Sequence, residues 1–417
     1  MARDLAPGFI GTCQICSSPN LFTILEMGHH APCDSLLTTE DLHQQEVTFP
    51  LNLVRCSECA LVQIDYVVAP ETLFPVEYPY RSGITESLVK RLTSTSRSVL
   101  TRYPHFKESV CVDIGSNDGT LLKGFQSQGL KVIGIEPSNI AQIAINDGVP
   151  TIQSFFNKES VQKVLAIHNK VEVITATNMF AHMPNLDSFM KTIASLLSPN
   201  GIFVTESHYL GNILETLQYD SVYHEHLRFY SGETIKKYLE QYGFYVTAIE
   251  EIDNYGGSIR VYASKNIDLV DKENLDNFFI NEEASGINTL ESLVDFSDAV
   301  RISKQEILAQ LAELRVKNLQ APGIGCPGRS ASLINYIGID RETMPYIAEQ
   351  KTSLKLGMYS PGKHIPILDE KVLLESQPEY AFLLSWHYAT EIIANLRKRG
   401  LKSKIIIPLP RVIIDEV

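Results

Sequence analysis

The sequence predicts an α/β protein in three parts, and three observations carry the prediction. Residues 110–139, VCVDIGSNDGTLLKGFQSQGLKVIGIEPSN, read as strand, glycine-bearing loop, helix and strand. The same alternation restarts near residue 321 with APGIGCPGRSASLINY and continues through EYAFLLSWHYATEIIANLRKRGLKSKIIIPLP, which implies a second, smaller α/β unit. Ahead of both stand two Cys-x-x-Cys pairs, Cys13 with Cys16 and Cys56 with Cys59, in a stretch too short to build a large core of its own. We expect the parts to cover residues 1–82, 83–265 and 266–417.

Composition narrows the partners. With 44% hydrophobic and 20% charged residues the chain is ordinary for a globular protein. A formal net charge of −13 argues against nucleic acid or an anionic membrane as partner, because both need a basic surface. Any phosphate must therefore find locally placed donors. The opening MARDLAPGFIGTCQIC lacks the basic flank and apolar core of a signal peptide, and no apolar run reaches the roughly 18 residues of a membrane span. The expectation is a cytoplasmic protein made in a reducing compartment.

Each Cys-x-x-Cys pair offers two thiolates at tetrahedral spacing. Together they complete a closed zinc site of structural type with no position left for water. Separate redox pairs or unrelated buried cysteines are the alternatives. Such a site stabilises a small module by on the order of 10 kcal/mol. Cys33, Cys111 and Cys326 read as small buried hydrophobes. The segment FPLNLVRCSECALVQIDYVV is β-rich and closes the module. The connector APETLFPVEYPYRSGITES follows, and its Tyr78, Tyr80 and Ser82 are candidates either for a pocket or for domain packing. ITESLVKRLTSTSRSVLTRY is then helical.

In the first α/β loop, Gly115 and Gly119 allow a sharp turn and close approach to a ligand. Glu136 ends the second strand, where an acid can take two ribose hydroxyls. Asp113, Ser116, Asn117 and Pro137 are expected to bind the same cofactor. The loop does not fit G-x-G-x-x-G, and its Asp-x-Gly-x-x-x-Gly resembles the first motif of class I S-adenosylmethionine-dependent methyltransferases. A nicotinamide-binding fold with a divergent loop is the alternative. VEVITATN and GIFVTES supply the fourth and fifth strands, with a helix stopping at Pro199-Asn200-Gly201 between them. Asn178 follows the fourth strand at the ligand-binding edge, as does His182, a histidine more often used for packing. GGSIRVYAS finishes the sheet of a Rossmann-like domain. Residues 285–319 then read as one amphipathic helix with Leu290, Leu293, Phe296, Val300, Ile307 and Leu311 on its apolar stripe. In the last unit, PGIGCPGRS is a glycine-rich turn able to cradle an anion with Arg329 beside it. Lys363 and His364 are phosphate candidates or a solvated turn.

The stretch YHEHLRFYS, Tyr223 to Ser231, concentrates polar chemistry. H-E-H is not H-E-x-x-H, so a second metal is disfavoured. A polar helix start with Tyr230 and Ser231 near the cap is the plain alternative. Tyr223 and His226 are three apart, and a helical turn would put them on one face.

Taken in order, the cysteine pairs, PETLF and YPYRS, VDIGSNDGTLL, GIEPS, NMFAHM, YHEHLRFYS, GGSIRVYA, LINYIGI, YSPGKHIPI and LLSWHYATEI resemble the nucleotide-sugar C-methyltransferases that add a methyl branch to deoxysugars. The resemblance implies a zinc-binding N-terminal module, a central class I methyltransferase domain and a C-terminal α/β domain. It also implies S-adenosylmethionine and structural Zn2+ as cofactors and a nucleotide-linked keto-deoxysugar as partner, in a monomer or weak homo-oligomer. Carbon–carbon bond formation from a sulfonium methyl needs a carbanion equivalent, formed next to a ketone by a base that titrates near working pH. Histidine meets that condition with little tuning. The resemblance assigns His226 as this base, with Tyr223 and Glu225 orienting it or the sugar and stabilising the enolate oxygen; His224 is the structural member of the pair. A heteroatom methyltransferase is the rival reading. In the segments expected to meet the sugar nucleotide, GIGCPGRSASL replaces a lysine-containing loop and Asn254-Tyr255 replaces a Thr-His pair, which leaves the nucleotide and sugar open.

Overall fold

The computed structural model describes residues 4–73, 83 and 86–416. At its centre a seven-stranded sheet runs in the spatial order Tyr245–Ile252, Ser258–Ser264, Leu197–His208, Val171–Thr177, Val110–Ile114, Lys131–Glu136 and Thr151–Gln153. Only Ser258–Ser264 runs against the others, so the first two pairings are antiparallel and the remaining four parallel. Strands covered on both faces read as unbroken apolar runs rather than alternating ones. Accordingly every residue of Val110–Ile114 is buried. Chain order reverses between Val110–Ile114 and Val171–Thr177, which opens the crevice at their carboxyl ends where open α/β sheets hold ligands. The Pro199-Asn200-Gly201 stop is not a loop. The helix Leu186–Leu196 passes directly into Leu197–His208, and the strand absorbs those residues as a register irregularity between Leu197 and Ile202.

The N-terminal module is a four-stranded antiparallel sheet, Leu21–His30, Phe49–Cys56, Val62–Ile64 and then Arg228–Phe229. Its last strand is lent by the YHEHLRFYS segment, some 160 residues further on, as Arg228 pairs with Gln63 and Phe229 with Val62. A C-terminal sheet of six strands follows the order Ile367–Asp369, Ile347–Glu349, Gly323–Ile324, Tyr380–Leu383, Lys404–Ile407 and Ile413–Asp415, parallel except for the last. This is the smaller α/β unit expected from the restarted alternation.

The long helix is shorter than its periodicity predicts. Lys272–Ser285 forms a separate helix that ends on Gly286 in a left-handed conformation, φ +65. The next helix, Leu290–Val316, starts where Thr289 accepts the Ser292 N–H on its hydroxyl. Leu290 is consequently exposed, whereas Leu293, Phe296, Val300, Ile307 and Leu311 are buried. They enter one core with Leu51 and Val62 of the N-terminal sheet and Ile324 and Phe382 of the C-terminal sheet. The first and last thirds of the chain thus share a core, while the metal end of the N-terminal sheet, Cys13, Ile15, Cys56 and Leu61, packs into the core of the central sheet.

Leu293 has no exposed surface. Leu293→Ala should cost about 2–5 kcal/mol. Hydrogen exchange should show amide protection falling together at Leu53 and Phe382 while Val112 in the central sheet keeps its own.

Candidate active site

The four cysteines of the two pairs converge, with all four sulfurs within 4.8 Å of one another. Cys13 Sγ lies 3.5 Å from Cys59 Sγ, and Cys16 Sγ 3.5 Å from Cys56 Sγ. Tetrahedral zinc with bonds of about 2.3 Å needs sulfurs roughly 3.8 Å apart, so the donor set fits that ion. Hydrogen-bonded to one another, Cys13 and Cys59 are driven apart: the Cys13 thiol is pushed up and that of Cys59 pulled down to about 5. A dication between the sulfurs resolves the conflict by letting all four ionise. All four positions are filled by protein, so the ion holds structure and activates no water.

In the first α/β loop, Gly115 and Gly119 take left-handed φ values of +71 and +76, and Asn117 and Asn178 are left-handed as well. A Cβ on Gly115 would come within 3.2 Å of Met179 Sδ. Glu136 accepts the N–H groups of Asn117 and Ser138, at 3.0 and 2.9 Å, and a carboxylate has lone pairs beyond those two for a ribose. This carboxylate, the tight loop and the reversed Asn178 backbone fit a nucleoside-bearing cofactor at the crevice. Pro137 stands between Glu136 and the Ser138 amide. Two of the expected residues face elsewhere. Asp113 is buried and accepts the Thr175 hydroxyl at 2.6 Å, and burial pushes its carboxyl up to about 7. Ser116 Oγ is buried against Gly134, where a Cβ would meet it at 2.4 Å.

Tyr223, Glu225 and His226 come together without a helix. They lie in a turn closed by the His226 N–H on the Tyr223 carbonyl, at 2.9 Å, between a helical turn at Tyr219–Ser221 and the strand Arg228–Phe229. The helical-face reasoning reached the right juxtaposition by the wrong geometry: the rings of Tyr223 and His226 sit 4.0 Å apart. Ser231, by contrast, does cap a helix, Gly232–Glu240, through a reciprocal pair of bonds with Thr234. His224 turns away, 3.1 Å from the Pro50 carbonyl and edge-on to Phe49, and thus anchors the N-terminal sheet. The backbone is fixed from both sides. The Leu227 N–H bonds Ala181, while its carbonyl accepts from Ile64 N and from Nε2 of Gln14, the residue inside the first cysteine pair.

His226 is buried and its Nδ1 lies 2.8 Å from the Ser221 carbonyl. A carbonyl only accepts, so Nδ1 carries the hydrogen and Nε2 the lone pair of the neutral ring. The rings of His182 and His208 stand nearly perpendicular to it, at 4.9 and 4.7 Å. Burial, then these neighbours, hold the His226 imidazolium well below the usual histidine range. Burial likewise pulls His182 down to about 4 and His208 to about 3. The little-tuned histidine expected from sequence is instead strongly shifted, because three imidazoles and Arg329 share one dry site. Burial also raises the Tyr223 phenol, keeping it a donor. Burial and the nearby Asp34 push Glu225 up to about 8, and its Oε1 accepts the Cys33 thiol at 3.3 Å.

Several residues had no signal in the sequence. Lys355 pairs with Asp34 at 2.9 Å and also donates to the Cys326 carbonyl. Asp220 and Trp386 are buried beside Arg329. His208 ends the strand Leu197–His208, and a lone histidine at a strand end carries no local pattern. Among the expected substrate residues, Tyr78, Tyr80 and Ser82 lie outside the described residues. Arg329 is not held out for an anion. It is buried and bonded to Asp220, Gln218 Oε1 and the Tyr255 carbonyl. His364 pairs with Glu46 of the N-terminal module at 3.1 Å, and its neighbour Lys363 is half-buried.

Comparison with known proteins covers all three parts. Residues 13–74 match the family described as "Putative zinc binding domain", 88–249 match "Methyltransferase domain" and 253–410 match "C-methyltransferase C-terminal domain". The chain is 28% identical over 412 residues to the C-methyltransferase NovU of Streptomyces niveus, covering 98% of each. A ubiquinone biosynthesis O-methyltransferase of Rhodopseudomonas palustris is 30% identical over 95 residues, 22% of this chain and 37% of that one. Magnesium protoporphyrin IX methyltransferase of Synechocystis, solved with bound SAM, is 14% identical over 43% of this chain and 79% of that one, at a TM-score of 0.33. No helix among the described residues is long and apolar enough to cross a membrane.

Cys56→Ser should abolish metal binding, read by elemental analysis. Hydrogen exchange should then show lost protection at Ile64, Leu227 and Phe229, while the helix Thr120–Gln126, which packs in a separate core, keeps its own.

Proposed function

We propose that the chain is a zinc-bearing, S-adenosylmethionine-dependent C-methyltransferase that methylates a carbon, C3 in our reading, beside the keto group of a nucleotide-linked keto-deoxysugar. Its matches to zinc-binding, methyltransferase and C-methyltransferase C-terminal domain families and its full-length similarity to a C-methyltransferase support the reading. The observation that carries the proposal is the His226 ring: neutral, its Nδ1–H committed to Ser221, its Nε2 lone pair left to take a proton.

S-adenosylmethionine, when bound, supplies an electrophilic methyl on a sulfonium. The residues' task is to make the carbon that meets it. Nε2 of His226 removes the α-proton. Tyr223 and Glu225 flank the same turn, and burial keeps both protonated at neutral pH, so each can donate a hydrogen bond to the oxygen that gains charge in the enolate. Met179 and the Gly115–Gly119 loop bound the donor side, with Glu136 for the ribose and Asn178 at the end of the neighbouring strand Val171–Thr177. Burial, and then the neighbouring histidines, hold His226 neutral, which keeps its lone pair at the cost of basicity. Hydrogen bonds to the oxygen offset that by acidifying the carbon. Seven cysteines with no disulfide accord with a reducing cytoplasm.

The pH dependence follows from the two shifted groups. His226 is held low, so its base form survives as pH falls and the acidic limb of kcat should lie below pH 6.5. Glu225 is held high, so its donor form is lost as pH rises through about 8. The alkaline limb should sit near there and disappear in Glu225→Gln.

In heavy water, with a nucleotide-linked 4-keto-6-deoxysugar and no methyl donor, NMR should show deuterium entering at C3 and not at C5. His226→Ala should slow that uptake by about 10²-fold or more. Full uptake in the variant would falsify the base assignment. Methyl transfer from the donor with no exchange at either carbon would favour a heteroatom acceptor.

A further inference from the structure

The C-terminal sheet has a ligand crevice of its own, and the protein fills it from within. Chain order in that sheet reverses between Gly323–Ile324 and Tyr380–Leu383, whose carboxyl ends lead to the helix Gly328–Ile337 and to the turn Trp386–Tyr388. Small molecules settle at this position in open α/β sheets. Here the occupant is the carboxylate of Asp220, which has no exposed surface. Its Oδ2 accepts Arg329 Nε at 2.9 Å and Trp386 Nε1 at 2.8 Å, while Oδ1 accepts a second Arg329 nitrogen at 2.6 Å. The Arg329 guanidinium also lies over the Trp386 ring, 5.4 Å from its centroid. Arg329 and Trp386 belong to the C-terminal domain, Asp220 to the turn Tyr219–Ser221, and the next carbonyl along, Ser221, receives the His226 Nδ1–H.

We infer that Asp220 is a positioning residue for the methyl-transfer reaction: clamped by Arg329 and Trp386, it fixes the Ser221 carbonyl that holds His226 in the Nδ1–H form, leaving Nε2 free for the substrate proton. The inference rests on reading His226 as the base. A carbonyl on a short turn is free to rotate by a small change in two dihedrals, and its direction decides which ring nitrogen carries hydrogen. Three hydrogen bonds to the adjacent residue's side chain remove that freedom. The bidentate guanidinium sets the plane of the carboxylate, and the indole fixes its distance from the sheet. The C-terminal domain thereby takes part in proton abstraction without touching the reacting carbon.

The test uses the full-length, zinc-loaded protein with 15N-labelled histidine, the His226 signals being assigned from their loss in His226→Gln. Ring 15N shifts separate a protonated nitrogen from one with a lone pair. Asp220→Asn keeps the shape and removes the charge. It should move His226 from a single Nδ1–H tautomer to a mixture and lower kcat by up to ~10²-fold with KM little changed. Trp386→Phe, which leaves the Arg329 pair intact, should do the same to a smaller extent and serves if the first variant does not fold. Asp220→Glu should not rescue, because its longer side chain displaces the turn. Folded variants whose His226 signals match the parent overturn the inference, even if His226→Ala is inactive. A tautomer shift accompanied by undiminished α-proton exchange supports the positioning role and instead overturns His226 as the base.

Discussion

Two residues of backbone pairing, Arg228 and Phe229 against Gln63 and Val62, govern how the rest of the molecule is arranged around the Tyr223–His226 turn. A strand that short has little stability of its own and needs a partner already held in place. The partner is held because Val62–Ile64 follows immediately on the second cysteine pair, where the metal fixes the reversal from the preceding strand. Gln14, from the first pair, adds a side-chain bond to the Leu227 carbonyl. A zinc ion with no open coordination position can thus matter beyond its own module. It makes rigid an edge to which the Tyr223–His226 turn is stitched.

Burial around that turn is unusually rich in ionisable groups, and the protein neutralises them in two ways. Histidines 182, 208 and 226 lose their protons, whereas Glu225 and Tyr223 keep theirs. Two oppositely charged pairs persist, Asp220 with Arg329 and Asp34 with Lys355, while the buried Arg228 rests on the Phe180 and Met183 carbonyls. Each pair joins the C-terminal domain to another part of the chain. Buried pairs are poor sources of net stability, but removal of one partner leaves an uncompensated charge and costs about 3–5 kcal/mol. They therefore penalise misalignment of the three parts more than they favour folding as such.

What could be read from sequence was what is local and periodic. The cysteine pairs, the Gly115–Gly119 loop and the apolar strands of the central sheet announce themselves because ligand spacing, backbone freedom and burial on both faces each leave a pattern within a few residues. The separate helix Lys272–Ser285 escaped because its buried face, Leu275, Phe278 and Glu282, mixes apolar side chains with a charge. Arg329 was read as an anion donor since its partner, Asp220, lies 109 positions away and nothing in either neighbourhood announces the other. His208 and Lys355 were invisible for the same reason. Arg228–Phe229 was hidden by its brevity, two residues being too few to show alternation. The family resemblance drew attention to His226, but only the fold reveals what surrounds it.

The shared core of the first and last thirds has a consequence for synthesis. The N-terminal sheet leaves the ribosome first, yet the helix Leu290–Val316 that covers its apolar face, and the C-terminal strands beyond, emerge last. The central sheet, whose strands all lie between residues 110 and 264, can close as soon as it is made. In effect one body is interrupted by another. Nascent N-terminal strands must remain uncovered while some 200 further residues are translated, about ten to forty seconds at bacterial to eukaryotic rates. Early capture of zinc by the two cysteine pairs gives those strands a folded scaffold during the wait, before the core they belong to exists.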